Sequence, residues 1–177
     1  IGFSVFSYLQ FNFAKLLARQ LKQRTDATIV FGGPFISLDY PIFKPALFNI
    51  VDYMIIGDGR IPLLKLIEYL QGKCAVAGIP GLIYRDNGVV HANPAQDYPI
   101  EDLPMPDFDG LPVDLYRRTN YSNRITLPYQ ISRGCNRKCS FCTSWKMNRK
   151  LQFKPLEKVM AELKQMTEKY NSKEFFF

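Results

Sequence analysis

The chain has 177 residues, 47% of them hydrophobic and 22% charged, enough apolar material for the core of one generous domain or two small ones. Its apolar stretches, such as YMIIG and PLLKLIEYL, are short and interrupted, well under the eighteen or so residues that a membrane span needs. The four cysteines, three of them clustered, are not the dispersed framework of a secreted disulfide scaffold, and the net charge of +7 is uneven, with +10 on residues 117–156 and −3 on the rest, so a reducing cytoplasm is expected.

The opening IGFSVFS (1–7) predicts a buried strand, and Phe11, Ala14, Leu17 and Leu21 then recur at helical spacing to about Lys22. It starts on an apolar run without an initiator Met or a basic segment, so no signal peptide is expected. KEFFF (173–177) reads as a strand that simply stops, and the sequence is expected to be an internal piece of a longer protein. Within it, ATIVF is a β-branched run ending in Gly32-Gly33-Pro34, a turn with no side chains in the way. VDYMIIGDG (51–59) is a second such run, leading to Pro62 near the start of the helix IPLLKLIEYLQ. Alternating strands and helices predict an α/β fold with a parallel, doubly wound sheet, whose ligands bind at the carboxyl ends of the strands: residues 4–7, 32–34 and 57–59.

GLIYRDNGVVHA (81–92) predicts a hairpin around Asn87-Gly88. The stretch to about residue 127 holds five prolines and little periodicity, and is expected to be a linker. PYQISRG (128–134) predicts a strand running into a cysteine loop. Pro155 then opens a helix with Val159, Leu163 and Met166 on one face. The expected division is 1–75, 76–127 and 128–177.

SRGCNRKCSFC places Cys135, Cys139 and Cys142 at the spacing C-x-x-x-C-x-x-C. Thiolates in such a run can converge on one metal centre, and iron-sulfur clusters are held this way. A closed cluster or a structural zinc site takes four ligands. The distant Cys74 or His91 could supply a fourth, or the fourth position could be open by design, for a substrate or cofactor. Cys74 alone reads as a plain thiol at a helix end, Trp145 as a packing residue, and Asp107 and Asp109 in PDFDG as turn formers. The basic stretch suits a solvated docking face, the setting of an anionic cofactor, or nucleic acid.

With Phe141 just before the last cysteine, this motif resembles the C-x-x-x-C-x-aromatic-C signature of the radical S-adenosylmethionine (radical SAM) superfamily. The resemblance implies a 4Fe-4S cluster on the three cysteines, with S-adenosylmethionine chelating the fourth iron and Phe141 near its adenine. It also implies reductive cleavage to a 5′-deoxyadenosyl radical, an external one-electron reductant such as flavodoxin or ferredoxin, and a small-molecule or peptide substrate. The motif sits in that family after the first strand of a (β/α) barrel. Upstream, IGFSVFS, VFGGPFISL, VDYMIIGDGR and DLPMPDFDGLP are similar to members with an N-terminal, Rossmann-like cobalamin-binding domain. Residues 1–75 would then be the C-terminal part of that domain and residues 128–177 the start of the barrel. Ser4, Gly32, Gly33, Pro34, Gly57, Asp58 and Gly59 would line the pocket for the cobalamin tail. The sequence departs from the family pattern at Gly57-Asp58-Gly59-Arg60, where many relatives have Gly-Glu-Gly-Glu, and at Phe35, where histidine is frequent. The cobalt-ligating histidine loop would precede Ile1, and further contacts to S-adenosylmethionine would follow Phe177. Methyl transfer or another radical modification is the expected reaction. The alternatives are a radical enzyme whose first domain docks substrate without cobalamin, and a zinc-stabilised nucleic-acid-binding protein.

Overall fold

The computed structural model describes residues 1–42, 45–117, 122–147 and 150–177, with the backbone alone for Pro45 and Trp145. The chain forms two compact units, Ile1–Asp97 and Tyr98–Phe177.

The first unit is a five-stranded sheet in the order β1 (Gly2–Ser4), β2 (Val30–Gly32), β3 (Tyr53–Ile55), β4 (Leu82–Asp86) and β5 (Val89–Ala92). Side-chain alternation splits its apolar residues between two cores. Phe31, Met54 and Ile83 pack with helix α1 (Tyr8–Lys22) and the short α2 (Pro34–Asp39). Val30, Ile55, Leu82 and Tyr84 pack with Leu66 of α3 (Arg60–Leu70). Helices thus cover both faces of the sheet. Ser7 caps α1, its Oγ accepting from the Gln10 amide at 3.3 Å, while Gln10 Oε1 accepts from the Phe6 amide at 2.8 Å.

One expectation is corrected here. The sheet is mixed: β1, β2 and β3 are parallel, β4 is antiparallel to β3, and β5 is antiparallel to β4. The Asn87-Gly88 turn, with positive φ values of 47° and 81°, folds β5 straight back on β4, while the antiparallel entry of β4 is set by its pairing with β3. The hairpin forms where expected, and β4 extends the sheet beyond β3 with Leu82, Ile83 and Tyr84 buried. In α1, Phe11, Ala14 and Ala18 are buried while Leu17 is exposed; the helix is apolar on two sides, and periodicity could not say which side faces the sheet.

In the second unit β6 (Thr126–Pro128) pairs in parallel with β9 (Glu174–Phe176), with the short α4 (Ser144–Met147) and α5 (Leu156–Tyr170) between them in sequence. The predicted strand 128–134 is therefore divided. Pairing with β9 ends where the Tyr129 amide reaches Phe176 O at 2.8 Å. The chain resumes as β7 (Ser132–Arg133), antiparallel to β8 (Gln152–Phe153). Helix α5 follows Pro155, stops at Asn171 in the left-handed conformation, and buries Val159, Glu162, Met166 and Tyr170. The proline-rich stretch is tied to it: the Phe108 amide donates to Tyr170 Oη at 2.9 Å, and Lys158 Nζ donates to Leu103 O at 2.8 Å and to Glu101 O.

Candidate cofactor sites

The cysteine motif occupies the segment between β7 and β8, whose pairing of Ser132 with Phe153 and of Arg133 with Gln152 joins the two stems. None of the three thiols is in a disulfide; Cys139 is exposed and the other two are partly so. The Arg137 amide donates to Cys135 Sγ at 3.4 Å, and the Cys142 amide donates to Cys139 O at 3.1 Å, which turns the chain between the second and third cysteines. Among the described residues no group of three His, Cys, Asp or Glu is gathered tightly enough to hold one metal ion. A 4Fe-4S cluster makes a different demand, since each thiolate binds a separate iron. Three partly accessible thiols on one loop suit that donor set. Phe141 projects into solvent at 88% exposure.

Beside the stems, at the carboxyl ends of β6 and β9, lies a cavity of about 500 Å³ walled by Phe108, Tyr129, Ile131, Phe176 and Phe177. Phe108 comes from the stretch expected to be a linker, and no periodic signal marked it.

In the first unit the ends of β1, β2 and β3 border a second cavity of about 430 Å³. Ser4, Gly32, Gly33, Gly57 and Gly59 line it, together with Arg60; Pro34 and Asp58 do not. Pro34 instead opens α2. Asp58 takes both Nε and Nη2 of Arg60 (2.9 and 2.6 Å). Burial alone would raise its pKa, but the bonds from Arg60 outweigh that and hold it below the ordinary 3.8. The glycines have different reasons to be glycine. At Gly33 φ is +95°, and a Cβ would lie 2.7 Å from both N and O of Val5, so the backbone itself forbids a side chain. Gly57 has φ +77°, with Ala95 Cβ at 3.2 Å. At Gly32 and Gly59 a Cβ would meet nothing nearer than 3.6 and 3.7 Å; the fold leaves these positions open, and they wall the cavity. Ser37, which the sequence reading missed, fixes this wall by donating to Gly33 O at 2.9 Å and accepting from the Gly57 amide at 3.0 Å. Its signal was its place one turn after Gly33-Pro34.

The remaining candidates are accounted for locally. Cys74 donates to Lys65 O at 3.4 Å, and the His91 ring stacks on Tyr84 with centroids 5.1 Å apart. Asp107 is more than a turn former: its Oδ1 accepts from the Asp109 amide (3.0 Å), Tyr170 Oη (2.8 Å) and Lys169 Nζ (3.3 Å). Those bonds, the Asp109 amide first, hold its pKa below the usual range. In the basic stretch Lys154 is buried and so adds nothing to a surface patch, while Arg118 and Arg149 lie outside the described residues. The Trp145 side chain does so as well. Among the described residues no helix is long and apolar enough to cross a membrane.

Residues 129–177 match the sequence profile of the Radical SAM superfamily. The chain is 28% identical over 156 residues to an uncharacterized methyltransferase of Pyrococcus horikoshii, covering 84% of this chain and 32% of that protein. It is 30% identical over 153 residues to the anaerobic magnesium-protoporphyrin IX monomethyl ester cyclase of Rubrivivax gelatinosus, covering 82% and 27%. Its fold is similar to that of the cobalamin-dependent S-adenosylmethionine radical enzyme OxsB with aqua-cobalamin and S-adenosylmethionine bound (TM-score 0.69, 22% identity, 98% of this chain and 24% of that one). It is also similar to the radical S-adenosylmethionine methyltransferase TsrM of Kitasatospora setae with cobalamin and a [4Fe-4S] cluster bound (TM-score 0.63, 20% identity, 88% and 31%). The chain thus spans about a quarter to a third of the length of these relatives. The resemblance drawn from Cys135, Cys139 and Cys142 is borne out, and the three cofactors it implies are those named with these neighbours.

Proposed function

We propose that this chain, whose residues 129–177 belong to the Radical SAM superfamily, serves a radical enzyme in which Cys135, Cys139 and Cys142 hold a 4Fe-4S cluster. The observation that carries the reading is three thiols on one loop, closed at its stems by β7 and β8, inside the matched segment. Such a cluster, with S-adenosylmethionine on its remaining iron, supplies reductive cleavage to a 5′-deoxyadenosyl radical. The chain's own residues supply the rest. The loop presents the thiolates, Phe141 stands free to meet the adenine, and the β6–β9 cavity offers an aromatic wall to what binds there. This unit is read as the start of a (β/α) barrel, and the first unit as the Rossmann-like part of a cobalamin-binding domain. Gly32 and Gly59 would let a cobalamin tail approach the backbone, with the Asp58–Arg60 pair at the rim. Methyl transfer or another radical modification of a small-molecule or peptide substrate follows, with a flavodoxin or ferredoxin as reductant, in the cytoplasm.

Anaerobic reconstitution of the full-length protein is expected to give about four irons per chain, with a reduced-state resonance spectrum altered by S-adenosylmethionine. Alanine at Cys135, Cys139 or Cys142 is expected to abolish it, and alanine at Cys74 to leave it unchanged. Equal loss on replacing Cys74 would sink the three-thiolate reading. For cobalamin the informative variant is Gly32→Leu, which fills the cavity from a position the fold leaves open; unchanged cobalamin retention would favour a first unit that docks substrate instead.

A further inference from the structure

Helix α5 buries Val159, Glu162, Met166 and Tyr170 along one stripe, and the carboxylate in that stripe belongs to no function described so far. Glu162 Oε2 accepts from Tyr129 Oη at 2.6 Å and from Lys154 Nζ at 2.6 Å. Lys154 Nζ also lies 3.4 Å from Tyr129 Oη and 4.6 Å from the centre of its ring. The side chains of Lys154 and Glu162 are 2% and 8% exposed. Glu162 Oε1 meets Lys158 at 3.6 Å, and Lys158 in turn holds the carbonyls of Leu103 and Glu101.

The placement in sequence gives the network its meaning. Tyr129 lies on the stem that enters the cysteine loop, immediately after β6, and Lys154 on the stem that leaves it, immediately after β8. The backbone ties the same two stems, with the Lys154 amide donating to Ile131 O at 2.9 Å. A two-residue ladder such as β7–β8 specifies register weakly by itself. A buried ion pair adds little net stability over apolar residues of the same volume, but it penalises every register in which one charge loses its partner. Resting on the cluster reading above, we infer that Tyr129, Glu162 and Lys154 are positioning residues: a brace on α5 that locks both stems of the cysteine loop in one register and so sets where Cys135, Cys139 and Cys142 are presented.

The test is the variant Tyr129→Phe, Lys154→Met and Glu162→Leu in the full-length protein, which removes the polar brace and keeps its volume. The first readout is hydrogen exchange in the iron-free protein. Amides of residues 131–133 and 152–154 are expected to exchange about tenfold faster or more, while those of β6, α5 and β9 keep their protection. The second readout is the reconstituted cluster, on which the spectral change induced by S-adenosylmethionine is expected to weaken. Stem exchange equal to wild type would overturn the inference. If the triple variant does not fold, Tyr129→Phe decides by the same exchange measurement: faster stems support the brace and unchanged stems overturn it. A wild-type protein that takes up no iron would sink the cluster reading and leave the stem result standing, so the two failures are distinct.

Discussion

At the scale of single residues, neighbours of the same type carry different constraints. Gly32 and Gly33 are adjacent, yet a Cβ at Gly33 would strike the Val5 backbone at 2.7 Å, whereas at Gly32 it would make ordinary contact at 3.6 Å. Gly33→Ala is therefore expected to cost at least about 1–3 kcal/mol of stability from its extended, positive-φ backbone alone, and Gly32→Ala much less, as read from urea midpoints. Equal losses would mean that the turn is not built as described. Glu162 adds a pH dependence. Burial would raise its pKa, but bonds from Lys154 and Tyr129 and the charges of Lys154 and Lys158 outweigh that and hold it below the ordinary 4.5. A carboxylate with a depressed folded-state pKa stabilises the fold above its unfolded value, and this stabilisation is lost as pH falls through the folded value. The thermal midpoint of Glu162→Gln is thus expected to fall less steeply than that of wild type as pH drops below 4.5. Parallel acid slopes would show that Glu162 is not the titrating group. The sequence announced the three cysteines through spacing. It could not announce Glu162, because one charge in an apolar stripe looks like a gap until its partners, 8 and 33 residues away, are brought to it by the fold.

At the scale of elements, what was legible depended on how local the cause was. The helix after Pro155 and the Asn87-Gly88 hairpin follow from cap and turn chemistry within a few residues, and both formed where expected. The direction in which the hairpin joined the sheet, and the breaking of 128–134 into two strands, are decided by partners elsewhere: β3 for the hairpin, and β9 and β8 for the broken strand. The proline-rich stretch was illegible for the same reason. Its order comes from Tyr170, at the far end of α5, whose hydroxyl accepts from the Phe108 amide and donates to Asp107. Removing that hydroxyl leaves the Phe108 amide unpaired against a buried ring. Tyr170→Phe is expected to destabilise the second unit by about 1–3 kcal/mol, measured by denaturant unfolding. A change within error would mean that water satisfies the amide equally well and that this stretch is not pinned by α5.

At the scale of the whole molecule, the first unit presents more apolar surface than two covered sheet faces require. Each principal helix turns one stripe to the sheet and a second outward. On α1 the inward residues are Phe11, Ala14 and Ala18, while Leu9, Phe13 and Leu16 stand 65%, 65% and 56% exposed at helical spacing. On α3 Leu66 is buried, while Leu63, Ile67 and Leu70 are 43%, 46% and 49% exposed. A helix apolar on both sides belongs in an interior, and continuous apolar surface of this kind drives association when left bare. β1 adds to it as the terminal strand of its sheet among the described residues, with one edge paired to no described strand. The 177-residue chain on its own is therefore expected to self-associate in a concentration-dependent way. Phe13→Lys with Leu16→Glu is expected to raise the concentration at which light scattering first increases, without lowering the urea midpoint, because both side chains already face solvent. A wild-type chain that sediments as a monomer at all concentrations would show that these stripes are tolerated bare. A double variant that associates as wild type does would shift the cause to the β1 edge.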